Sequence, residues 1–471
     1  MKKRIKILLA NSPSPYIRCR WDIKYEKTVA MQYLPFPTRI AYATALLKQH
    51  GFNAHIIDGL AEEITRKEFI DRVKVLKPDL LIWETIASAF DYDIKTMEMI
   101  RKVLPNIKIG ASGYHASATY KYCLKSGYDY VIVGECDYSI LELAKYLSGE
   151  LKKIPKGVVT KAHKLVKRPL IQNLDELPWP EREELPIRKY NDPKLYGFNV
   201  VLISTRGCPW GCSFCTTPVY YGKTNFRLRD PVDVVDEMEF LWNEYKPDEI
   251  YFDDDNFAVN EKHVEDVCRE IQKRKLKIRW NCMCDARVSD RLIKLMKETG
   301  CAGITIGAES ADSEVLKHLG KPITREDIIG FVNSCNKYKV KSHVCWVLGL
   351  PYSTKKGDLE TIKFALKLPC FTMQFSICMP FPGTEMFKWC IKNNYLIENW
   401  KKIKGNDRCI VDYPGYGHKE IEENVLYARK LWHRRMLRNP NVIYYHLFNI
   451  YRYQGLSGIF NVSMRALKRL I

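Results

Sequence analysis

The chain has 471 residues and a net charge of +20, with 46% apolar and 28% charged residues. This length exceeds what one hydrophobic core supports, so two or three domains are expected. The apolar runs are shorter than the roughly 20 residues of a membrane-spanning helix, and the basic N-terminus leads into a predicted strand. We therefore expect a cytoplasmic protein whose 16 cysteines are free thiols or metal ligands, a usage that suits an anaerobic cell.

Residues 1–150 alternate β-rich apolar runs with amphipathic helical stretches. This alternation predicts a doubly wound parallel sheet of the Rossmann-like type, which binds ligands beyond the carboxyl ends of its strands. Those ends begin at Asn11, Asp58, Ala111 and Gly134. The predicted strands are 4–10, 54–58, 79–85, 107–111 and 129–134.

A second alternation follows a Pro-rich and charged segment, 151–198, which we interpret as a linker. Six strand–helix units between 199 and 415 predict a partial (β/α)6 TIM-like barrel. Chemistry in such barrels lies at the carboxyl ends of the strands. The predicted barrel strands are 200–204, 249–253, 278–282, 303–306, 343–348 and 373–377.

Three cysteines crowd one loop directly after the first barrel strand, in the segment Arg206-Gly-Cys208-Pro-Trp-Gly-Cys212-Ser-Phe-Cys215. An iron–sulfur cubane normally takes four thiolates, so three of them leave one iron open for a ligand. Structural zinc, the alternative, usually has four ligands in paired Cys-x2-Cys form. Buried thiols with no shared role are the other alternative.

This Cys-x3-Cys-x-aromatic-Cys loop resembles the signature of the radical S-adenosylmethionine superfamily, over about residues 199–385. The resemblance implies a [4Fe-4S] cluster on Cys208, Cys212 and Cys215, with S-adenosylmethionine chelating the fourth iron. It places Phe214 near the adenine.

Further polar residues end other barrel strands. By the same resemblance, Asp254 is a candidate for the ammonium or ribose hydroxyls of S-adenosylmethionine, and Glu309 and Ser310 are candidates for its polar atoms. Arg287 is a candidate for its carboxylate. A solvated acidic turn is the alternative for Asp254, and a surface salt bridge is the alternative for Arg287.

The N-terminal domain resembles the cobalamin-binding subclass of the superfamily. The matching segments are Ser112-Gly-Tyr-His115-Ala and Gly134-Glu135-Cys-Asp, where the family has Gly-Gly-x-His-Ala and Gly-Glu-Gly-Glu. The resemblance makes Ser112, His115, Gly134 and Glu135 candidate cofactor-binding residues, although a lone histidine is more often structural. The Asp-x-His-x-x-Gly motif that supplies a cobalt ligand elsewhere is absent, so a bound cobalamin would lack a protein imidazole on its lower face.

Together these resemblances imply C-methylation of an unactivated carbon, driven by S-adenosylmethionine, a [4Fe-4S] cluster and cobalamin. Members of the hopanoid-lipid and anaerobic-cyclase types share this architecture, so radical ring contraction or cyclisation is the alternative. Modification of tRNA is a second alternative, which the scattered N-terminal cysteines disfavour. A reducing partner such as ferredoxin or flavodoxin is expected.

The region 416–471 is predicted to be helical, basic and aromatic. After Glu423 it holds nine cationic residues and no acidic one. Such a segment suits a peripheral contact with the inner face of a membrane and a lipid substrate. A C-terminal helix packed on the barrel, with solvated charges, is the alternative.

Overall fold

The computed structural model describes residues 5–18, 25–26, 33–192, 194–195, 197–400 and 408–470. Residue 4 of the first predicted strand, and the cationic side chains beyond 460, lie outside this description. The strands are β1 (Lys6–Asn11), β2 (Tyr16–Ile17), β3 (Tyr25–Glu26), β4 (Asn53–Asp58), β5 (Leu80–Glu84), β6 (Lys108–Ser112), β7 (Tyr130–Ile132), β8 (Val158–Val159), β9 (Asn199–Leu202), β10 (Thr205–Cys208), β11 (Asn225–Leu228), β12 (Glu249–Phe252), β13 (Trp280–Cys284), β14 (Cys301–Glu309), β15 (Lys341–Leu348) and β16 (Thr372–Ile377). The helices are α1 (Thr38–Gln49), α2 (Arg66–Leu76), α3 (Phe90–Val103), α4 (Gly113–Ala118), α5 (Tyr120–Lys125), α6 (Asp137–Leu147), α7 (Thr217–Tyr221), α8 (Pro231–Tyr245), α9 (Glu261–Lys273), α10 (Asp290–Glu298), α11 (Ser313–Leu319), α12 (Arg325–Lys337), α13 (Lys355–Lys367), α14 (Glu385–Lys392), α15 (His418–Met436) and α16 (Pro440–Leu470).

The N-terminal sheet has the strand order β4-β1-β5-β6-β7-β8. Its first five strands are parallel, and β8 runs antiparallel to β7. In chain order the five parallel strands follow the flavodoxin-like pattern 2-1-3-4-5, whose ligand crevice lies where the order reverses. That point falls between β1 and β5. The doubly wound parallel sheet predicted from the sequence is confirmed.

The barrel sheet has the order β16-β15-β14-β13-β12-β9, so each neighbour is the next strand along the chain. All five pairings are parallel. Among the described residues the edge strands β9 and β16 do not pair, which leaves the barrel open as predicted. An antiparallel hairpin of β10 and β11, which the sequence did not predict, follows the first barrel strand.

Local sequence sets the ends of the barrel helices. The Asp230 side chain accepts hydrogen bonds from the backbone of Val232 and Asp233 ahead of α8, with Pro231 in the first turn. Thr324 and Asp327 form a capping box at the start of α12. These caps satisfy backbone N–H groups that have no partner inside the helix.

The segment 151–198 packs between the two sheets. It supplies β8 to the N-terminal sheet, and Leu174, Leu185 and Ile187 are buried. One hydrophobic core runs from a face of the N-terminal sheet through these three side chains into the barrel. A smaller core covers the other face of that sheet. The two sheets are therefore joined by shared apolar packing.

The C-terminal helices pack on the barrel. Arg429 of α15 donates a hydrogen bond to the carbonyl of Phe375 in β16 at 3.0 Å. The backbone of α16 is kinked at Gly455, where φ is 63°. In the part of the chain that the structure describes, no helix combines the length and apolar character that crossing a bilayer requires.

Candidate active site between the two sheets

The three clustered cysteines lie on a loop that the barrel holds at several points. Cys208 is the last residue of β10, and Cys212 and Cys215 follow before α7. All three thiols are free and partly exposed. The loop is anchored at Ser213, whose N–H donates to the carbonyl of Leu319 and whose carbonyl accepts from the N–H of Met386, both at 2.9 Å.

The chemistry of these thiols suits a cluster better than a single ion. Among the described residues, no three His, Cys, Asp or Glu side chains are grouped closely enough to hold one metal ion. A cubane does not need such a group, because each thiolate binds a different iron. Burial raises the pKa of Cys208 and of Cys212 to about 12, so cluster assembly must displace their protons.

The acidic run 253–255 divides between two tasks. Asp254 is fully buried, and its carboxylate accepts from the N–H groups of Ser204 and Thr205 at 2.8 Å. Asp255 accepts from the N–H of Gly207 at 3.1 Å. Both carboxylates thus fix the hairpin that carries the cysteines, and a cofactor contact by Asp254 stays a prediction.

Glu309 and Lys321 form a buried ion pair beside the cysteine loop. Glu309 ends β14 with a left-handed φ of 62°, and Lys321 Nζ lies 2.9 Å from its Oε1. Burial lowers the pKa of Lys321, but the Glu309 carboxylate outweighs it and holds that pKa above its usual value. Ser310, the next residue, accepts from the N–H of Asp312. Lys321 was not identified from the sequence, because only its position after a glycine distinguishes it from the lysines that are exposed.

The remaining barrel candidates also border the cysteine loop. Arg287 pairs with Asp285 at 3.0 Å, and its guanidinium stacks on the Trp210 ring, 4.5 Å from the centroid. It therefore forms the salt bridge that was the alternative and also contacts the loop, and its contact with the carboxylate of S-adenosylmethionine stays a prediction. Phe214 is partly buried against the barrel core.

The N-terminal candidates each have contacts within the protein. Ser112 donates to the Trp83 carbonyl at 3.3 Å. His115 is fully buried near the Phe90 and Trp400 rings, and burial lowers its pKa to about 3, so it is neutral.

The other two candidates, Gly134 and Glu135, lie at the contact with the barrel. Gly134 has a φ of 77°, and a Cβ there would approach the Tyr220 carbonyl to 3.4 Å. Glu135 pairs with two barrel arginines, Arg206 at 2.9 Å and Arg227 at 2.8 Å. Cofactor binding by these residues stays a prediction.

A cavity lies between the carboxyl edges of the two sheets. Its wall includes Asn11 and Glu84 from β1 and β5, and Thr205, Asp253 and Asp255 from the barrel side. It therefore opens at the reversal of strand order in the first sheet and beside the cysteine hairpin in the second.

Two buried polar atoms on this wall fit a bound group. Asn11 Oδ1 and Thr205 Oγ1 have no hydrogen-bond partner among the described residues. Buried polar atoms normally have partners, so these two favour a ligand that supplies them. No histidine is among the described residues that line the cavity. The sequence analysis pointed to the Asn11 strand end but identified neither side chain.

Comparison with known proteins agrees with this architecture. The family model of the radical SAM superfamily matches residues 202–365, and that of the B12 binding domain matches residues 29–144. These tandem matches define a radical S-adenosylmethionine enzyme with a cobalamin-binding domain.

Relatives specify the class further. The chain is 34% identical over 377 residues to an uncharacterised methyltransferase of Pyrococcus horikoshii, covering 78% of this chain and 81% of the relative. It is 30% identical over 200 residues to the bacteriochlorophyllide d C-12(1)-methyltransferase of Chlorobaculum tepidum, covering 41% and 43% of the two chains. The chain belongs to the family of cobalamin-dependent radical S-adenosylmethionine methyltransferases.

A solved structure shares the fold. The radical S-adenosylmethionine methyltransferase TsrM from Kitasatospora setae, with cobalamin and a [4Fe-4S] cluster bound, superposes with a TM-score of 0.67 at 19% identity, covering 84% of this chain and 79% of that one. The predicted family and fold class are confirmed. The cofactors are a [4Fe-4S] cluster, S-adenosylmethionine and cobalamin, as predicted.

Proposed function

We propose that the enzyme methylates an unactivated sp3 carbon of a lipid-like substrate held in the cavity between the two sheets. The observation that carries this proposal is the composition of the cavity wall, which combines the switch point of the cobalamin-binding sheet with the hairpin of the cysteine loop. In this proposal, a substrate carbon placed there lies between the cobalamin-binding sheet and the hairpin that carries the cysteines. When bound, the cofactors supply hydrogen abstraction from that carbon and a methyl group in return.

In this proposal the protein's own residues bind and orient the cofactors. Cys208, Cys212 and Cys215 ligate the cluster. Glu309, with Lys321 beside it, offers opposite charges next to Cys212, and these match the amine and carboxylate of a methionyl group. Asn11 Oδ1 and Thr205 Oγ1 accept hydrogen bonds from the bound groups.

A lipid-like substrate is supported by the remainder of the wall. Phe36, Ile86 and Ile203 line the same cavity, so part of its wall is apolar and can pack against a hydrophobic group, while six other lining side chains are charged. A low-potential one-electron donor of the ferredoxin or flavodoxin class would reduce the cluster. We place the enzyme in the cytoplasm, in peripheral contact with the inner face of the membrane.

The test begins with anaerobic purification in the presence of cobalamin, followed by iron, sulfide and cobalt analysis. About four irons and one cobalt per chain are expected, since one cubane and one corrinoid bind. Cys208→Ala should lose the iron, whereas Cys370→Ala, a buried cysteine away from the loop, should keep it.

The holoenzyme is then given S-adenosylmethionine with a labelled methyl group, a reductant and fractionated lipids. Label recovered in a lipid carbon, with 5′-deoxyadenosine formed alongside, supports the proposal. A ring-contracted or cyclised product without the labelled methyl would replace methylation with the alternative chemistry. Four irons without cobalt would remove the methyl source from the proposal.

A further inference from the structure

A second cavity lies at the opposite end of the barrel from the cysteine loop. It measures about 500 Å³. Its wall comes from the amino ends of the barrel strands and from the loops before them. The residues of this basal cavity are Asp248, Arg279, Lys297, Ala302, Lys339 and Lys341.

Positive charge dominates the basal cavity, with four cationic residues against one acidic residue. Arg279 pairs with Glu249 at 2.8 Å. Within the described ranges, neither Lys297 nor Lys339 has an acidic partner. Lys341 is half-buried, and burial lowers its pKa. The Glu249 charge opposes this shift, and the Arg279 and Lys297 charges add to it. A concave site with this excess of cations attracts anions.

Helix α16 contacts two residues that line the basal cavity, Lys341 and Asp248. The Lys341 ammonium lies 4.1 Å from the Tyr445 ring centroid, and the Tyr445 hydroxyl donates to the Lys194 carbonyl. Arg452, two turns further along α16, pairs with Asp248 at 3.0 Å. One face of the helix is thereby fixed to the base of the barrel.

The other face of α16 carries large apolar side chains that remain exposed. Tyr444, Leu447 and Tyr451 follow helical spacing and are 65%, 38% and 53% exposed. Leu456, beyond the kink at Gly455, is 75% exposed as well. Aromatic and leucine side chains beside cations are typical of helices that lie in a bilayer interface. The chain after Glu423 has no acidic residue that would repel an anionic surface.

We propose that this end of the barrel docks on a bilayer containing anionic phospholipids. A headgroup phosphate enters the basal cavity, and the exposed face of α16 enters the interface. The aliphatic Leu447 and Leu456 favour a bilayer over a nucleic acid, since neither side chain can stack on a base. The inference rests on the peripheral membrane contact of the proposed function and identifies the surface that makes it. It requires no particular methyl acceptor, because the basal cavity lies at the opposite end of the barrel.

The experiment is vesicle flotation of the reconstituted holoenzyme with phosphatidylcholine alone or mixed with phosphatidylglycerol. The variant Lys297→Glu/Lys339→Glu should bind the anionic vesicles about tenfold more weakly or worse, since each lysine near such a surface strengthens binding several-fold. Tyr444→Ser/Leu447→Ser should weaken binding as well. Lys161→Glu/Lys164→Glu, an equal charge change in the exposed loop after β8, is the matched control and should bind normally.

Each variant is checked for an unchanged melting temperature, iron content and cleavage of S-adenosylmethionine without vesicles. Loss of vesicle binding with normal cleavage supports docking, whatever becomes of the proposed methyl acceptor. Equal loss in the control variant would show bulk charge alone and overturn the proposal. The proposal would also be overturned if Lys297→Glu/Lys339→Glu lost binding of inorganic phosphate but still bound the vesicles. Binding of an oligonucleotide in place of vesicles would overturn it as well.

Discussion

At the scale of single residues, Asp254 has the clearest structural task. Its buried carboxylate holds the N–H groups of Ser204 and Thr205, at the start of the hairpin that carries Cys208. In Asp254→Ala these donors lose their acceptor, which costs about 2–4 kcal/mol. We expect a lower melting temperature and less iron per chain after anaerobic reconstitution, with Asp254→Asn less affected because one acceptor oxygen remains.

The control is Asp266→Ala, which removes a half-exposed carboxylate on α9 and should change neither property. If Asp254→Ala keeps its melting temperature and iron and instead loses affinity for S-adenosylmethionine, Asp254 is a cofactor ligand, as the sequence predicted. Melting curves and isothermal titration with S-adenosylmethionine separate the two outcomes.

The cysteine spacing predicted the candidate cluster ligands because a short loop fixes their proximity. The roles of the acidic run 253–255 could not be predicted, because these residues lie beyond the end of a strand. The alternation of side chains assigns faces only within a strand, and β12 ends at Phe252, before the three acids. The ion pairs of Glu135 could not be predicted, because its arginine partners lie 71 and 92 residues further along the chain, where sequence patterns give no pairing.

At the scale of elements, the apolar strands could be predicted and the hairpin could not. The strand predicted at 373–377 is β16, Thr372–Ile377, and the strand predicted at 54–58 is β4, Asn53–Asp58. Both carry a run or stripe of apolar residues. Strand β10 has the sequence Thr-Arg-Gly-Cys, which has no such pattern. Its extended conformation comes from pairing with β11.

Asp358 ties α13 to the region that leads into α15. It accepts from the N–H of Gly349 at 2.8 Å and from the Tyr416 hydroxyl at 2.6 Å. Burial, with the Asp312 charge adding to it, raises the pKa of Asp358 from 3.8 to about 7. The folded chain therefore holds this proton more tightly than the unfolded chain. The stabilisation that protonated Asp358 contributes is fully present below about pH 4, and it is lost as the pH rises through about 7.

The expected result is a melting temperature that falls between about pH 4 and pH 7 in the native chain and falls less in Asp358→Asn. The raised pKa corresponds to about 4 kcal/mol. Tyr416→Phe is the control, since it removes a hydrogen bond but keeps the carboxylate, and its pH dependence should persist. Parallel pH profiles for the native chain and Asp358→Asn would contradict the prediction.

At the scale of the whole molecule, a buried ion cluster aligns the two domains. Arg206 and Arg227 of the hairpin meet Glu135 and Asp137 at the edge of the cobalamin-binding domain, at 2.7–2.9 Å. Two positive and two negative charges balance, and the four side chains are at most 7% exposed. These ion pairs thus fix the cysteine hairpin against the cobalamin-binding domain, which forms the other wall of the cavity.

Breaking this cluster from one side should cost more than removing a charge pair. Glu135→Gln leaves Arg227 buried without its carboxylate, which costs about 3–5 kcal/mol. Arg227→Met should cost less, because Glu135 still pairs with Arg206. The double variant removes one charge of each sign, so its loss should be well below the sum of the two. Melting curves and limited proteolysis of the segment between the domains measure this, with Lys363→Met/Glu360→Gln, an exposed pair, as the additive control. Additive losses at Glu135 and Arg227 would mean that the domains are held by their shared apolar core alone.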